Sequence, residues 1–329
     1  MSSVFSSAVV DCKKISYTNS DSTHQVHIAF GVDDKYVRGM GVAITSLVAN
    51  NPGTEFVFHV FYGSIDEADF DRLDELARKL EITIFLNALD KEIFAKLATF
   101  GHYTHAIYNR LVISERLRGV ATRALYIDAD IVCLAGVREL IAMDLGSNVV
   151  AAVADVDRIA NERIRALGLK CGKYFNSGVI LIDIEKWNEE DVSNTALSIL
   201  LDRNNNLVFP DQDALNIALD GRVACVDRKW NRLYDLGTMT EKIADDTVFL
   251  HYAAGTKPWF AWCLHPLKSH FIKYYQQSPW ASLAFDPPRD YKEMRTFARG
   301  LSSQGHYAAA IVWHLKSLRK RLAKKFGRR

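Results

Sequence analysis

Residues 123–132 read RALYIDADIV. The run Leu125-Tyr126-Ile127 has the composition of a buried strand, and it stops at two carboxylates two places apart, Asp128 and Asp130. Open α/β sheets bind their ligands just beyond the C-terminal ends of the strands, which is where this pair falls. Two carboxylates facing one point repel each other unless a cation lies between them, and oxygen ligands suit Mg²⁺ or Mn²⁺. Taken alone, the same string also fits a solvated loop.

Working outward from it, short apolar runs alternate with helical stretches. VHIAF (26–30), a helix over 37–49, FVFHVF (56–61), a helix over 66–80 and ITIFL (82–86) lie upstream, and VVAAVA (149–154) follows. This is the β-α-β rhythm of an α/β fold with a doubly wound, mostly parallel sheet. Beyond Tyr174 the alternation loosens into a strand FNSGVILIDI, helices over 193–203 and 212–220, and a strand RVACVD. No Pro- or Gly-rich linker separates the two parts, so 26–280 reads as one catalytic domain. Residues 1–25 show no periodicity and read as a loosely held N-terminal arm, ordered only where it touches the body. Pro287-Pro288 breaks the chain ahead of a helical C-terminal appendage, 281–329. Its last helix, over 306–327, places Ile311, Leu315, Leu318, Leu322 and Phe326 in one apolar stripe lined by basic residues.

The 329 residues are 49% apolar, ample for a full core. No stretch approaches the ~18 uncharged apolar residues of a spanning helix, and the first 25 residues lack the apolar run of an export signal. Five scattered cysteines, none in a C-x-x-C pair, fit a reducing compartment and disfavour a zinc knuckle. Net charge is +2, yet residues 315–329 hold eight of the 41 basic residues and no acid. The other 314 residues therefore carry 33 bases against 39 acids, a mildly acidic body with a strongly basic tail.

Other motifs admit two readings each. His251 ends the run TVFLH, as a hydrogen-bonded core histidine or as a ligand; the small-residue turn and Lys257 that follow suit a polyphosphate. Pro210-Asp211-Gln212-Asp213 opens a helix, with Asp211 as an N-cap or as part of a site. Asn176-Ser177-Gly178 supplies turn chemistry or sugar contacts, and Asp33-Asp34 either meets a base or ribose or starts a helix. Gly39 and Gly41 lie inside a helix and lack the third glycine of a dinucleotide fingerprint, which disfavours NAD. No G-x-S-x-G, P-loop or H-E-x-x-H string occurs.

In order, IAFGVDDKY, AIYNRL, LYIDADIV, YFNSGVILIDIEKW, PDQDALN and FLHYAAGTKPW resemble the successive motifs of glycosyltransferase family 8, over about 26–280. Within it the sequence is most similar to lipopolysaccharide core α-glucosyl- and α-galactosyltransferases, which share the Ser278-Pro279-Trp280 string and a basic C-terminal extension. The resemblance implies a GT-A fold and a retaining UDP-sugar enzyme. It implies Asp128, Asp130 and His251 as ligands of Mn²⁺ or Mg²⁺, with Lys257 on the diphosphate. Asp33 would hold the nucleoside, with Lys35, Ser177 and Gly255 on the donor; Arg110, Asp155, Asn176, Asp211 and Gln212 would surround the transferred sugar. Lys35 stands where the family can carry Asn, Ala254 where it carries Gly, and Gln277 where it carries Asn.

The reaction so implied moves glucose or galactose from a UDP-sugar to the outer core of lipopolysaccharide. Retention then follows from same-face attack by the acceptor hydroxyl, with Gln212 steadying the sugar cation and Asp155 or Asp211 fixing its hydroxyls. The amphipathic basic tail fits the anionic inner leaflet, placing the enzyme in the cytoplasm, peripheral on the inner membrane, with no nucleic-acid partner. A self-glucosylating relative of glycogenin is the nearest rival, and a nucleotidyltransferase, which would release pyrophosphate in place of UDP, the second.

Overall fold

The computed structural model describes residues 4–18, 25–99, 104–202, 205–237 and 242–326. Among these the strands are β1 (Val9–Ser16), β2 (Val26–Val32), β3 (Phe56–Tyr62), β4 (Thr83–Leu89), β5 (Arg123–Ile127), β6 (Ile131–Cys133), β7 (Val150–Ala154), β8 (Phe175–Asp183), β9 (Val223–Val226), β10 (Arg232–Leu233) and β11 (Phe249–His251). The helices are α1 (Val37–Asn50), α2 (Glu67–Leu80), α3 (Ile113–Leu117), α4 (Arg138–Ile141), α5 (Asp157–Leu167), α6 (Ile184–Glu189), α7 (Val192–Leu201), α8 (Pro210–Ala218), α9 (Lys268–Tyr275), α10 (Tyr291–Ser303) and α11 (Tyr307–Phe326).

Eight strands form one sheet in the order β1-β4-β3-β2-β5-β8-β7-β9, and β10-β11-β6 form a second, smaller one. Strand β3, apolar or aromatic at every place but His59, is buried at every position, as a strand flanked by parallel neighbours must be. Alternation along β2 divides the interior: Ile28, Phe30 and Val32 join the core under α1 and α2, while Ala29 joins the core on the opposite face. Four strand pairs of the large sheet are parallel and three antiparallel, because β8 runs against both β5 and β7 and β1 runs against β4.

The N-terminal segment is ordered where it meets the body. Residues 9–16 are the edge strand β1, paired with β4, and Phe5 is buried. Residues 1–3 and 19–24 lie outside the described residues. Strand β1 escaped notice because its neighbours cover so little of it: five consecutive positions are exposed on both faces, so no alternation marks it.

Two glycines in α1 set how closely that helix approaches the Asp-x-Asp turn and Trp280. A Cβ on Gly39 would collide with the Ala129 carbonyl oxygen and lie 2.8 Å from the Trp259 ring; one on Gly41 would collide with the ring of Trp280. Close packing is the work these glycines do, in place of phosphate binding. After the Pro287-Pro288 break, α10 opens with a capping box between Asp290 and Glu293. Helix α11 then packs back on α10 through Ala310, through Trp313 against Phe297, and through a bond from Ser317 to the Tyr291 carbonyl. Ile311, Leu315, Leu318 and Leu322 point away from the body, each more than half exposed (60, 54, 52 and 52%). Among the described residues no helix is long and apolar enough to cross a membrane.

Candidate active site

The β5–β6 turn carries Asp128 and Asp130, and β11, antiparallel to β6, brings His251 alongside. One ligand atom from each of the three falls within 4.8 Å of the others. His251 Nε2 lies 3.3 Å from Asp130 Oδ1 and 4.0 Å from Asp128 Oδ2. Two carboxylates and an imidazole make an O/O/N donor set that suits a divalent ion such as Mn²⁺. On the far side of the ring, His251 Nδ1 is 2.9 Å from Asn231 Oδ1, an outer-shell carbonyl of the kind that orients metal-binding imidazoles. Gly178 makes the placement possible, since a Cβ there would be 2.5 Å from His251 Cε1.

Each carboxylate also has its own cation. Arg110, buried on the 3₁₀ helix His105–Val112 between β4 and α3, donates to Asp128 Oδ1 at 2.9 Å and to the Ser177 carbonyl at 2.7 Å, and stacks on Tyr126. Tyr126 adds its hydroxyl to the same Asp128 oxygen at 2.6 Å. Lys257 donates to Asp130 Oδ2 at 2.5 Å and to the Tyr252 carbonyl at 2.9 Å. Burial alone would raise the Asp130 carboxyl, but Lys257 and His251 outweigh it and hold the group well below the usual carboxylate range. Asp211 goes the other way: burial raises it, partly offset by Arg110 at 3.3 Å.

The Asp128–Asp130–His251 group opens on a cavity of about 780 Å³, within the range of small-molecule pockets. Asp33, Arg110, Asp128, Asp130, Asp155, Asn176, Ser177, Asp211, Gln212, His251, Gly255 and Lys257 all line it. The exception is Lys35: its side chain is exposed and off the cavity wall, and its backbone N–H closes a turn on Asp33 Oδ1. The expected N-cap at Asp211 is also corrected, because Phe209 occupies the cap and Pro210 the first helical position. That shift turns Asp211 and Gln212 toward the cavity.

Gln212 has its hydrogen bonds fully assigned. Its Nε2 donates to Asp155 Oδ2 and to the Tyr174 hydroxyl, each at 2.9 Å, and its Oε1 accepts from Asn176 Nδ2 at 3.1 Å and Ser177 N at 3.0 Å. Beneath it Asp213, fully buried, takes both prongs of Arg163 (3.1 and 2.7 Å) and the Tyr174 hydroxyl. Sequence reasoning missed Thr104, which donates to Asp33 at 2.7 Å, together with Tyr126, Tyr174, Arg158 and Asn231. Only Tyr126 left a trace, since it stands two places before Asp128 and so on the same side of the chain.

A mixed α/β sheet with an Asp-x-Asp turn at a strand end, a histidine brought in from a small second sheet and a nucleotide-sized cavity between them define a glycosyltransferase of the GT-A fold. The crystal structure of the galactosyltransferase LgtC with donor and acceptor sugar analogs superposes with a TM-score of 0.67 at 26% identity, covering 77% of this chain and 96% of that one. The chain belongs to glycosyl transferase family 8, whose profile matches residues 27–263, followed by the family's C-terminal profile over 265–321. It is 31% identical to the lipopolysaccharide 1,3-galactosyltransferase of Salmonella typhimurium over 318 residues, 93% of this chain and 94% of that one. Likeness to the lipopolysaccharide 1,2-glucosyltransferase of Escherichia coli K12 is equal, 31% over 308 residues, with 89% and 90% covered.

Proposed function

We propose that this protein transfers glucose or galactose, with retention, from a UDP-sugar to the outer core of lipopolysaccharide. The observation that carries the reading is the convergence of Asp128, Asp130 and His251 beside a cavity whose far wall is a closed amide and carboxylate network. Mn²⁺ or Mg²⁺ held by those three would neutralise the charge that builds on the departing diphosphate. Lys257, which donates to Asp130 and to the Tyr252 carbonyl, supplies a second positive charge on that side.

The sugar would lie against Asp155, Asn176, Ser177, Asp211 and Gln212. Same-face attack by the acceptor hydroxyl suits this wall better than a covalent adduct. Gln212 is an amide whose oxygen already accepts two bonds; Asp211 is engaged by Arg110, and Asp155 by Asn176, Gln212 and the Val156 N–H. Fixed carboxylates and an amide dipole can orient hydroxyls and steady a developing cation without reorganising. Residues 26–280 form the catalytic part in this reading, and 281–329 the part that meets the inner membrane from the cytoplasm.

The exposed stripe of α11 supports that second role. Its apolar side chains remain outside the packed core while Arg319, Lys320, Arg321, Lys324 and Lys325 flank them. Anionic lipid attracts such residues by about 1 kcal/mol each, enough for reversible docking onto lipid-anchored acceptors. UDP release decides the whole: UDP-glucose and UDP-galactose are each offered with truncated lipopolysaccharides, with Mn²⁺, Mg²⁺ or EDTA. One sugar turned over with acceptor and lost with chelator is the expected result. Normal turnover in EDTA, or label on the protein itself without acceptor, would overturn it.

A further inference from the structure

The sugar pocket and the cation site are joined by three side chains whose orientations can be worked out one from the next. Asp155 Oδ2 is the starting point, because an ionised carboxylate only accepts. Asn176 lies 3.1 Å from it and must therefore present Nδ2 there, which directs Asn176 Oδ1 the other way. The Gly178 backbone N–H, a donor only, meets that Oδ1 at 3.0 Å and fixes the same orientation independently. Asn231 approaches Asn176 Oδ1 at 2.8 Å and so must present its own Nδ2. Its Oδ1 is then left to face His251 Nδ1 at 2.9 Å, and an acceptor there requires Nδ1 to carry the hydrogen. A neutral His251 with its hydrogen on Nδ1 would then offer its lone pair at Nε2, the nitrogen that faces Asp128 and Asp130, as ligation of a cation requires. Reversing any amide in the series sets two acceptors or two donors against each other in a buried site.

We propose that Asn231 is a positioning residue that couples the two halves of the active site: one buried amide selects the ligating tautomer of His251 and aims Asn176 at Asp155 and Gln212. Asn231 is 2% exposed and reaches neither the cavity wall nor the carboxylates, so it acts through its neighbours. The inference rests on the cation site proposed above.

Three variants separate the roles. Asn231→Leu removes both bonds. Asn231→Asp keeps an acceptor for His251 Nδ1 but cannot donate to Asn176. His251→Ala removes the ligand itself. Mn²⁺ affinity in the presence of UDP, read from the electron paramagnetic resonance signal of free Mn²⁺, should fall roughly 10- to 100-fold in Asn231→Leu, the usual cost of losing an outer-shell partner. In Asn231→Asp it should stay within about threefold of wild type or tighten, while turnover at saturating Mn²⁺ falls at least about tenfold because Asn176 is released. Should Asn231→Leu fail to fold, Asn231→Asp against His251→Ala carries the comparison. Wild-type Mn²⁺ affinity in folded Asn231→Leu, or full turnover in Asn231→Asp, would overturn the coupling. If His251→Ala itself binds Mn²⁺ normally, it is the cation site that fails.

Discussion

Gly178→Ala is the most local test of how the proposed metal site is built. An added Cβ would stand 2.5 Å from His251 Cε1, 2.8 Å from Nδ1 and 3.0 Å from Asn176 Oδ1. Restoring an ordinary contact of about 3.5 Å requires a displacement of about 1 Å. The strand cannot supply it: β8 is paired on both sides, and the Gly178 carbonyl accepts the Asp128 N–H at 2.8 Å. The imidazole must therefore move, although Asn231 holds it and it is buried. Metal–ligand distances tolerate only about 0.2 Å, so a ring displaced by several times that leaves the coordination sphere. Overpacking of this kind costs about 1–3 kcal/mol, and since about 1.4 kcal/mol is a factor of ten, half-saturating Mn²⁺ should rise roughly 5- to 150-fold. UDP release titrated with Mn²⁺ measures it, with Gly63→Ala as the control, because a Cβ there meets nothing within 4 Å. Unchanged Mn²⁺ dependence in a folded Gly178→Ala protein would refute the placement of His251.

Arg163→Met should lower stability by about 3–5 kcal/mol, because it strands the fully buried Asp213 carboxylate; urea unfolding with a loss under 1 kcal/mol would contradict the buried pair. Burial, with His27 and Arg116 nearby, pushes the His59 imidazole from its ordinary 6.5 down to about 3. The unfolded chain then binds the extra proton, so stability falls as pH drops from 6.5 toward 3, by about 2 kcal/mol at pH 5, and His59→Phe should lose that part of the acid slope. An identical slope in the variant would exclude His59 as its source. Leu315→Glu with Leu318→Glu, both on the outward stripe, should abolish recovery on phosphatidylglycerol vesicles while UDP release with a soluble acceptor stays within about twofold; parallel loss of both would place α11 in the catalytic fold.

The sequence revealed whatever had a period or a boundary. Strands β2 to β5 are continuous apolar runs, α2 shows its Leu73, Leu76 and Ala77 face between acidic and basic ends, and the Asp-x-Asp pair marks where a strand stops. Pairing partners far apart in the chain had no such signature. Asp213 could be read only as an acid near a helix start, since nothing in the sequence ties it to Arg163, fifty residues earlier. Asn231 likewise stands 20 residues from His251 and 55 from Asn176, and its value lies wholly in which atom of its amide faces which neighbour. Ala254 adopts φ +63°, the left-handed conformation that explains why glycine suits that place.

Charge on the cavity wall bears on the order of binding. Asp33, Asp128, Asp130, Asp155, Asp211 and Asp235 line it against Arg110, Arg158 and Lys257, so six acids face three bases. Arg110 and Lys257 are already engaged by Asp128, Asp211 and Asp130, which leaves little positive field for an anionic donor arriving alone. A divalent cation entering alone would meet carboxylates whose charge these bases already offset in part. Arriving together, the dication and the diphosphate nearly cancel, and each removes the other's penalty. Mn²⁺ and UDP should therefore bind with positive coupling of about 1–3 kcal/mol, each tightening the other by the same factor of roughly 5 to 150. Calorimetric titration of Mn²⁺ with and without UDP, and of UDP with and without Mn²⁺, closes the cycle. Lys257→Met should steepen the dependence of UDP on Mn²⁺, because it removes one of the cavity's three bases. Equal UDP affinity with and without Mn²⁺ in the wild-type protein would mean that the acidic wall does not face the diphosphate.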